Sequence, residues 1–320
     1  MKRYLVLCVL SFLCLQIHAF PSSETGNKVL TIYGIRGPSG LGMIQLFETP
    51  PRIDGFDVRI EALASSDLVA ARFIAGEAQI GILPPDRGAK IASSGINIKA
   101  AAVIGMGMLS LLTSDTLVNS IQDLRGKTVE VAGQGTTPDY VFRRILLNYG
   151  LKADIDLRLG YSLAPPEIAQ SLIAGRISTA LIPEPFATMA IAGKPDLRHV
   201  ADIQNEWHIT TGAENYPMTV LAVNGNFAAQ NPVAVSIILS ALEDSIKWVL
   251  SHPAEAGILA EKHGLGFPSA AAAQAIPRSN YVFIPAREAR ASMEALFRVF
   301  LEFSPESIGG SLPADSFYLL

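Results

Sequence analysis

Two stretches of this chain repeat one another, and the repeat limits the folds open to it. Phe73 to Asp86 reads FIAGEAQIGILPPD, and Leu172 to Phe186 reads LIAGRISTALIPEPF. In each, an amphipathic helix ends on Ile-Ala-Gly and a short apolar strand follows. The strand then leaves through proline, at Leu83-Pro84 and at Ile182-Pro183. The copies lie 99 positions apart. Helix, glycine turn and fully apolar strand, in that order, belong to a parallel α/β unit, whose strands are covered on both faces. Two copies imply two lobes of one construction, with the Pro-rich strand exits as candidate walls of a shared site.

The chain has 320 residues, long for a single core and natural for two lobes. Half of it is hydrophobic and 17% is charged, so it folds as a globular body. No basic cluster accompanies the formal net charge of −4, which argues against nucleic acid and against an anionic membrane face. The first residues differ from the rest. Lys2 and Arg3 precede the apolar run Leu5 to Leu15, and Ile17-His18-Ala19 supplies a small-residue cleavage site. This is the layout of a secretory signal peptide over residues 1–19, too short for an ordinary membrane span. Its removal takes the net charge from −4 to −6 and removes both cysteines, Cys8 and Cys14. The mature chain is then expected to have no disulfide, thiolate metal site or Cys nucleophile. Lipid attachment at Cys14 is the lesser reading, because the large Leu13 stands where a lipoprotein signal needs a small residue.

Lys28 to Tyr33 reads as a strand, followed by the glycine-rich turn GIRGPSGLG and an apolar helix from about Leu41. Such a turn aims free N–H groups outward as an anion site, or it serves turn geometry alone. Its spacing fits neither a P-loop nor a dinucleotide fingerprint. Asp57 to Leu63 is a second strand, Ser65-Ser66-Asp67 caps a helix through Ile74, and Gln79 to Leu83 is a third strand. A second unit follows without a gap, Lys127 to Val131 matching Lys28 to Ile32 and Asp156 to Leu159 matching Asp57 to Ile60. Its turn, Gly133 to Pro138, offers Thr136 or Thr137 as an N-cap. Those two hydroxyls can hold a carboxylate, sulfonate or phosphate, or simply cap the helix. Met108 to Ser114 and Met218 to Val223 are expected to cross between the lobes. The remainder is read as helical: Asn231 as a cap with Pro232 at N1, a helix to about Leu250, another from Pro253 to Gly264, and a third from about Ala286 to Phe303.

No HExxH or other metal spacing and no GxSxG elbow occurs. His199, His208, His252 and His263 read as surface or capping residues. No cofactor and no metal is expected, and an enzyme is not the first choice.

The segments LVAARFIAGEAQIGILPP (Leu68 to Pro85), IQDLRGKTVEVAGQGTTPDYVFRRIL (Ile121 to Leu146) and LIAGRISTALIPEPF together resemble one family. It is the SsuA/THI5-like group of type II periplasmic binding proteins serving ABC importers, with nitrate, sulfonate, taurine and thiamine-precursor binders among its members. The resemblance implies two Rossmann-like α/β lobes with mixed, mostly parallel sheets joined by two crossover strands, one lobe from 26–110 and 220–320 and the other from 111–219. It further implies a monomer in the periplasm or another extracytoplasmic space, holding a small ligand between the lobes and handing it to an ABC permease and ATPase complex. The family's strand-end loops map onto Arg36, Gly37, Pro38, Ser39, Gly40, Leu41, Ser65, Pro84, Pro85, Gln134, Gly135, Thr136, Thr137 and Glu184. Sulfonate binders often carry an aromatic-Asp-Pro segment where this chain has Ile182-Pro183-Glu184-Pro185. A buried Glu184 needs a cation or a hydrogen-bond donor. That favours an organic ligand with an amine, amidine or ring N–H, which can also be anionic. Pyrimidine-synthase-like enzymes of the same fold use a Cys-rich motif, at odds with a mature chain that has no cysteine. A sensor module for a membrane receptor is the other alternative.

Overall fold

The computed structural model describes residues 27–319, so the expected signal peptide and both cysteines lie outside the described residues. The first unit comprises β1 (Lys28–Ile35), α1 (Pro38–Leu41), α2 (Ile44–Glu48), β2 (Phe56–Leu63), α3 (Ser66–Ile74) and β3 (Ile80–Leu83). After it come α4 (Pro85–Ser93), β4 (Ile98–Met106) and β5 (Leu109–Thr113). The second unit comprises β6 (Thr128–Val131), α5 (Thr137–Asn148), β7 (Arg158–Gly160), α6 (Pro165–Ile173) and β8 (Thr179–Pro183). The chain continues through α7 (Phe186–Gly193), β9 (Arg198–Ala201), α8 (Ile203–Thr211), β10 (Pro217–Asn224) and α9 (Gly225–Gln230). It closes with α10 (Pro232–Ser251), α11 (Pro253–Lys262), α12 (Ser269–Ala275), β11 (Tyr281–Pro285) and α13 (Arg290–Phe303).

The strands form two sheets, ordered β11-β4-β10-β3-β1-β2 and β7-β6-β8-β5-β9. Each has the repeated parallel triplet at one side, β3-β1-β2 in the first and β8-β6-β7 in the second. The strands added to the triplets, β10, β4, β11, β5 and β9, pair antiparallel. Both sheets are therefore mixed but not mostly parallel as expected: five antiparallel pairings stand against the four parallel ones of the triplets, because each added strand runs antiparallel to the neighbour it joins. The repeat is also not gapless. Ile32 lies opposite Ile80, whereas Val131 lies opposite Leu181, so the second unit holds two more residues between those strands.

Local sequence explains most elements. In β2 burial alternates, and its outward Asp57 and Arg59 pair with each other at 2.8 Å on the exposed edge, charges that discourage further strand addition. Burial is complete along β3 and β8, as expected of strands covered on both faces. Ser65 caps α3, its Oγ accepting from Leu68 N–H. Helix α5 turns Val141, Phe142, Ile145 and Leu146 into the core, each burial contributing about 1.5–3 kcal/mol.

Three strands escaped the sequence reading. The Ala-rich β4 shows no alternation because it is buried along nearly its whole length, between β10 and β11. Strand β9 has only four residues. Strand β11 interrupts the segment expected to be helical throughout and completes the first sheet. Asn231 is not a side-chain cap; its amide donates to Phe227 O at 3.1 Å. The last helix starts at Arg290, after a turn over 286–289.

Of the strands expected to cross between lobes, β5 belongs wholly to the second sheet and β10 wholly to the first. The crossings are the short segments just before them, Gly107-Met108 and Asn215-Tyr216. They are fastened together. Gly107 N–H donates to Asn215 Oδ1 at 3.1 Å, and the Asn280 amide donates to Gly107 O. A Cβ on residue 107 would stand 2.5 Å from both Asn215 Oδ1 and Tyr216 Cζ, and Tyr216 is fully buried against Trp207. Only glycine fits there.

Candidate functional site

The residues expected to line a site all follow the carboxyl ends of parallel strands, the position at which open α/β sheets bind ligands. After β1, Arg36 is exposed, and its N–H donates to Leu63 O at 2.8 Å. Gly37 and Pro38 are half-buried, and Tyr281 OH donates to Pro38 O at 2.8 Å. Ser39 Oγ accepts from Thr219 Oγ1 at 3.2 Å, while Gly40 and Leu41 are buried. The first turn thus leans on β10 and β11 of its own sheet. Gly40 is required by close approach, since a Cβ there would lie 2.3 Å from Ile35 O. Gly40→Ala is expected to cost about 2 kcal/mol by denaturant titration; an unchanged midpoint would show that the turn yields freely. After β2 and β3, Ser65 caps α3, Pro84 is half-buried, and the buried Pro85 opens α4.

The second glycine turn is held from within. Gly135 N–H donates to Asp139 Oδ2 at 2.8 Å, and Thr136 Oγ1 donates back to Gly133 O at 2.7 Å. Neither threonine side chain caps α5. Gln134 is exposed, and Thr137 is buried with no partner for its hydroxyl. Asp139 is itself buried and accepts further bonds from Arg143 Nε at 2.7 Å and Tyr161 OH at 2.6 Å. That surrounding pushes the Tyr161 phenol upward, chiefly by burial and next by the bond to Asp139. An N–H that looked free for an anion is therefore already given to the protein's own carboxylate.

Glu184 stands apart from these. It follows β8, is 2% exposed, and its backbone N–H donates to Met108 O at 3.0 Å. Thr188 N–H donates to Glu184 Oε2 at 3.0 Å, and among the described residues no donor is bonded to Oε1. Burial raises the carboxyl above its usual range, opposed by hydrogen bonding from Thr188 and by Arg278 and His199 nearby. The carboxylate lines a cavity of about 370 Å³, with Met108, Ser110, His199, Gln204 and Arg278 among its walls. Of the fourteen expected residues only Glu184 lines this cavity.

The others were missed for reasons of topology. His199 is on β9, one of the unread strands, and Arg278 is on the turn leading into β11, another. Pairing of β5 with both β8 and β9 brings Ser110, Glu184 and His199 to one place. The signal that could have found them is the β-rich runs RHVA and YVFIP, the first followed by Asp202 and the second preceded by Ser279-Asn280.

Two mixed α/β sheets, joined where the chain crosses twice and bearing their loops at parallel strand ends, define the two-lobed architecture of type II binding proteins. The chain belongs to the NMT1/THI5-like family, whose model matches residues 52–256. Among solved structures, an ABC transporter from Parabacteroides distasonis superposes with a TM-score of 0.79 at 28% identity, covering 92% of this chain and 99% of that one. The periplasmic aliphatic sulphonate binding protein SsuA from Escherichia coli superposes with a TM-score of 0.71 at 16% identity, over 90% and 94% of the two chains. The periplasmic nitrate-binding protein NrtA from Synechocystis PCC 6803 gives 0.63 at 12%, over 90% and 83%. No curated protein matches the chain by sequence.

Proposed function

We propose that this protein is the extracytoplasmic solute-binding component of an ABC-type importer. It captures a small polar organic ligand between its lobes and delivers it to the permease and ATPase complex. Family membership and the Parabacteroides distasonis relative support the transport role. The periplasmic sulphonate- and nitrate-binding proteins share its fold and support the extracytoplasmic location.

The observation that carries the ligand reading is Glu184. A carboxylate this deeply buried with one uncommitted oxygen is costly unless it meets a cation or a donor. A ligand with an amine, amidine or ring N–H supplies one.

The test is thermal denaturation of the purified protein with a panel of amines, amidines, pyrimidines, amino-sulfonates and vitamins. A ligand present at 100 times its Kd adds about 2.7 kcal/mol of stability. Glu184→Gln is expected to lose most of that gain. A panel without any stabiliser, or an equal gain in the variant, would remove Glu184 from the site.

A further inference from the structure

Helix α5 makes contacts on two faces, and only one of them serves its own lobe. Val141, Phe142, Ile145 and Leu146 are buried inward, whereas Tyr140 and Arg144, one turn apart, share another face. That second face meets α13. The Tyr140 ring lies edge-on to Phe300, with centroids 4.9 Å apart, and parallel to Phe303 at 5.8 Å. Beside them Arg144 Nε stands 3.6 Å from Glu302 Oε2. Phe300 is fully buried, and Tyr140 and Phe303 are half-buried.

Helix α13 is anchored on the first sheet. It packs against α4 and β10. Its first residue, Arg290, donates to Asp315 Oδ1 at 2.6 Å and lies 5.0 Å over the Tyr318 ring. Tyr318 in turn bridges to Ala100, near the start of β4 and so at the end remote from Gly107. From there the 14 residues of α13 span about 21 Å, bringing Phe300 and Phe303 to Tyr140. Tyr140 is one turn into α5, the helix that opens at the second glycine turn, and a Cβ on Gly135 would stand 3.6 Å from its hydroxyl. The contact therefore joins the lobes beside a loop expected to face a ligand. It shares no residue with the fastening at Gly107.

We infer that Tyr140, gripped by Phe300 and Phe303, is an interlobe latch. It keeps the second lobe against the first without a ligand, and the lobes open only when it lets go. Its make-up suits a contact that parts and re-forms. Among the described residues no backbone hydrogen bond joins α5 to α13, so release breaks no main-chain ladder. Aromatic pairs nevertheless attract beyond the area they bury, enough to bias an equilibrium between two states. The latch acts whatever the ligand is, and ligand entry and exit both wait on its release.

Small-angle X-ray scattering on the protein dialysed free of small molecules reads the latch directly. Tyr140→Ala and Phe303→Ala, shown to be folded by circular dichroism, are each expected to open the lobes. Parting the lobe centres by a few Å adds about 1 Å to a radius of gyration of about 20 Å for a chain of this length. Tyr140→Phe keeps both ring contacts and should keep the parent's radius. Expansion in Tyr140→Phe equal to that of the alanine variant would overturn the ring contact as the cause. An unchanged radius in both alanine variants overturns the latch. Should either alanine variant lose its fold, the surface pair decides in its place. Arg144→Glu sets two acids against each other across the seam and is expected to expand the protein at low salt. Adding Glu302→Arg to the same chain should restore the parent's radius. No expansion in Arg144→Glu at low salt, or expansion that Glu302→Arg leaves in place, overturns the latch.

Discussion

Asp139→Ala is expected to lower stability by about 3 kcal/mol in denaturant titration, the lower end of what breaking a buried charged pair costs. The carboxylate holds three donors at once, Gly135 N–H, Arg143 Nε and Tyr161 OH. Its loss leaves Gly135 N–H without a partner. Arg143 is spared the full penalty because it keeps Asp154 at 3.1 Å and Tyr161 at 2.9 Å. Thr137→Val makes the contrast. Its hydroxyl is buried and bonded to nothing, so an apolar group of the same shape should leave stability equal or raise it by about 1 kcal/mol. A loss below 1 kcal/mol for Asp139→Ala, together with a large loss for Thr137→Val, would return the capping role to the threonine.

The second large effect concerns Asp86, at the start of α4 just past the Pro84-Pro85 exit. Its carboxyl is 4% exposed and Oδ1 has no partner. Burial pushes its pKa from 3.8 to about 6, against the opposing pull of Arg87, whose Nε lies 3.9 Å from Oδ2. Because the folded value is the higher one, the native state keeps a proton that the unfolded chain has already released. Stability from this group is fully present below about pH 4 and is lost as pH rises towards 6. The shift of about two units corresponds to roughly 3 kcal/mol at pH 7, taken as an upper figure. Asp86→Asn should raise stability at pH 7 by a sizeable part of that and flatten the slope between pH 4 and 6. Urea titrations of both proteins at pH 4.5 and 7 check it. Equal stability at pH 7 would mean that the carboxylate is solvated in a way its burial does not suggest.

The parts of the fold that could be read in the sequence were those with a local rule. Strands β3 and β8 are short apolar runs set between a glycine turn and proline, and Ser65 caps its helix through a bond three residues away. What stayed hidden depends on partners far along the chain. Strand β4 is central because β10 and β11 flank it, and its alanines sit where α4 and α10 pack against the strand, none of which is announced within Ile98 to Met106. The two-residue difference between the units appears only when strands are laid side by side.

The candidate site divides in the same way. Glu184 was visible because a carboxylate in a proline-flanked strand exit is out of place. His199 and Arg278 have no such oddity, and only the pairing of β9 with β5 and the placing of β11 bring them near it. The glycine turn at Gly133 misled for a physical reason. A helix start advertises free N–H groups, but the acid that takes one of them, Asp139, looks in sequence like ordinary first-turn decoration.

The fastening at Gly107 has a mechanical consequence. Two separate tethers would let the lobes both bend and twist, whereas two strands stapled at one point act as a single axle. Met108, the next residue, is in the wall of the Glu184 cavity, so that cavity lies close to the axle. Near a pivot the lever arm is short. Under the proposed transport role, a small displacement forced there by a bound molecule would become a much larger swing at the distant rims of the lobes, where a permease would sense it.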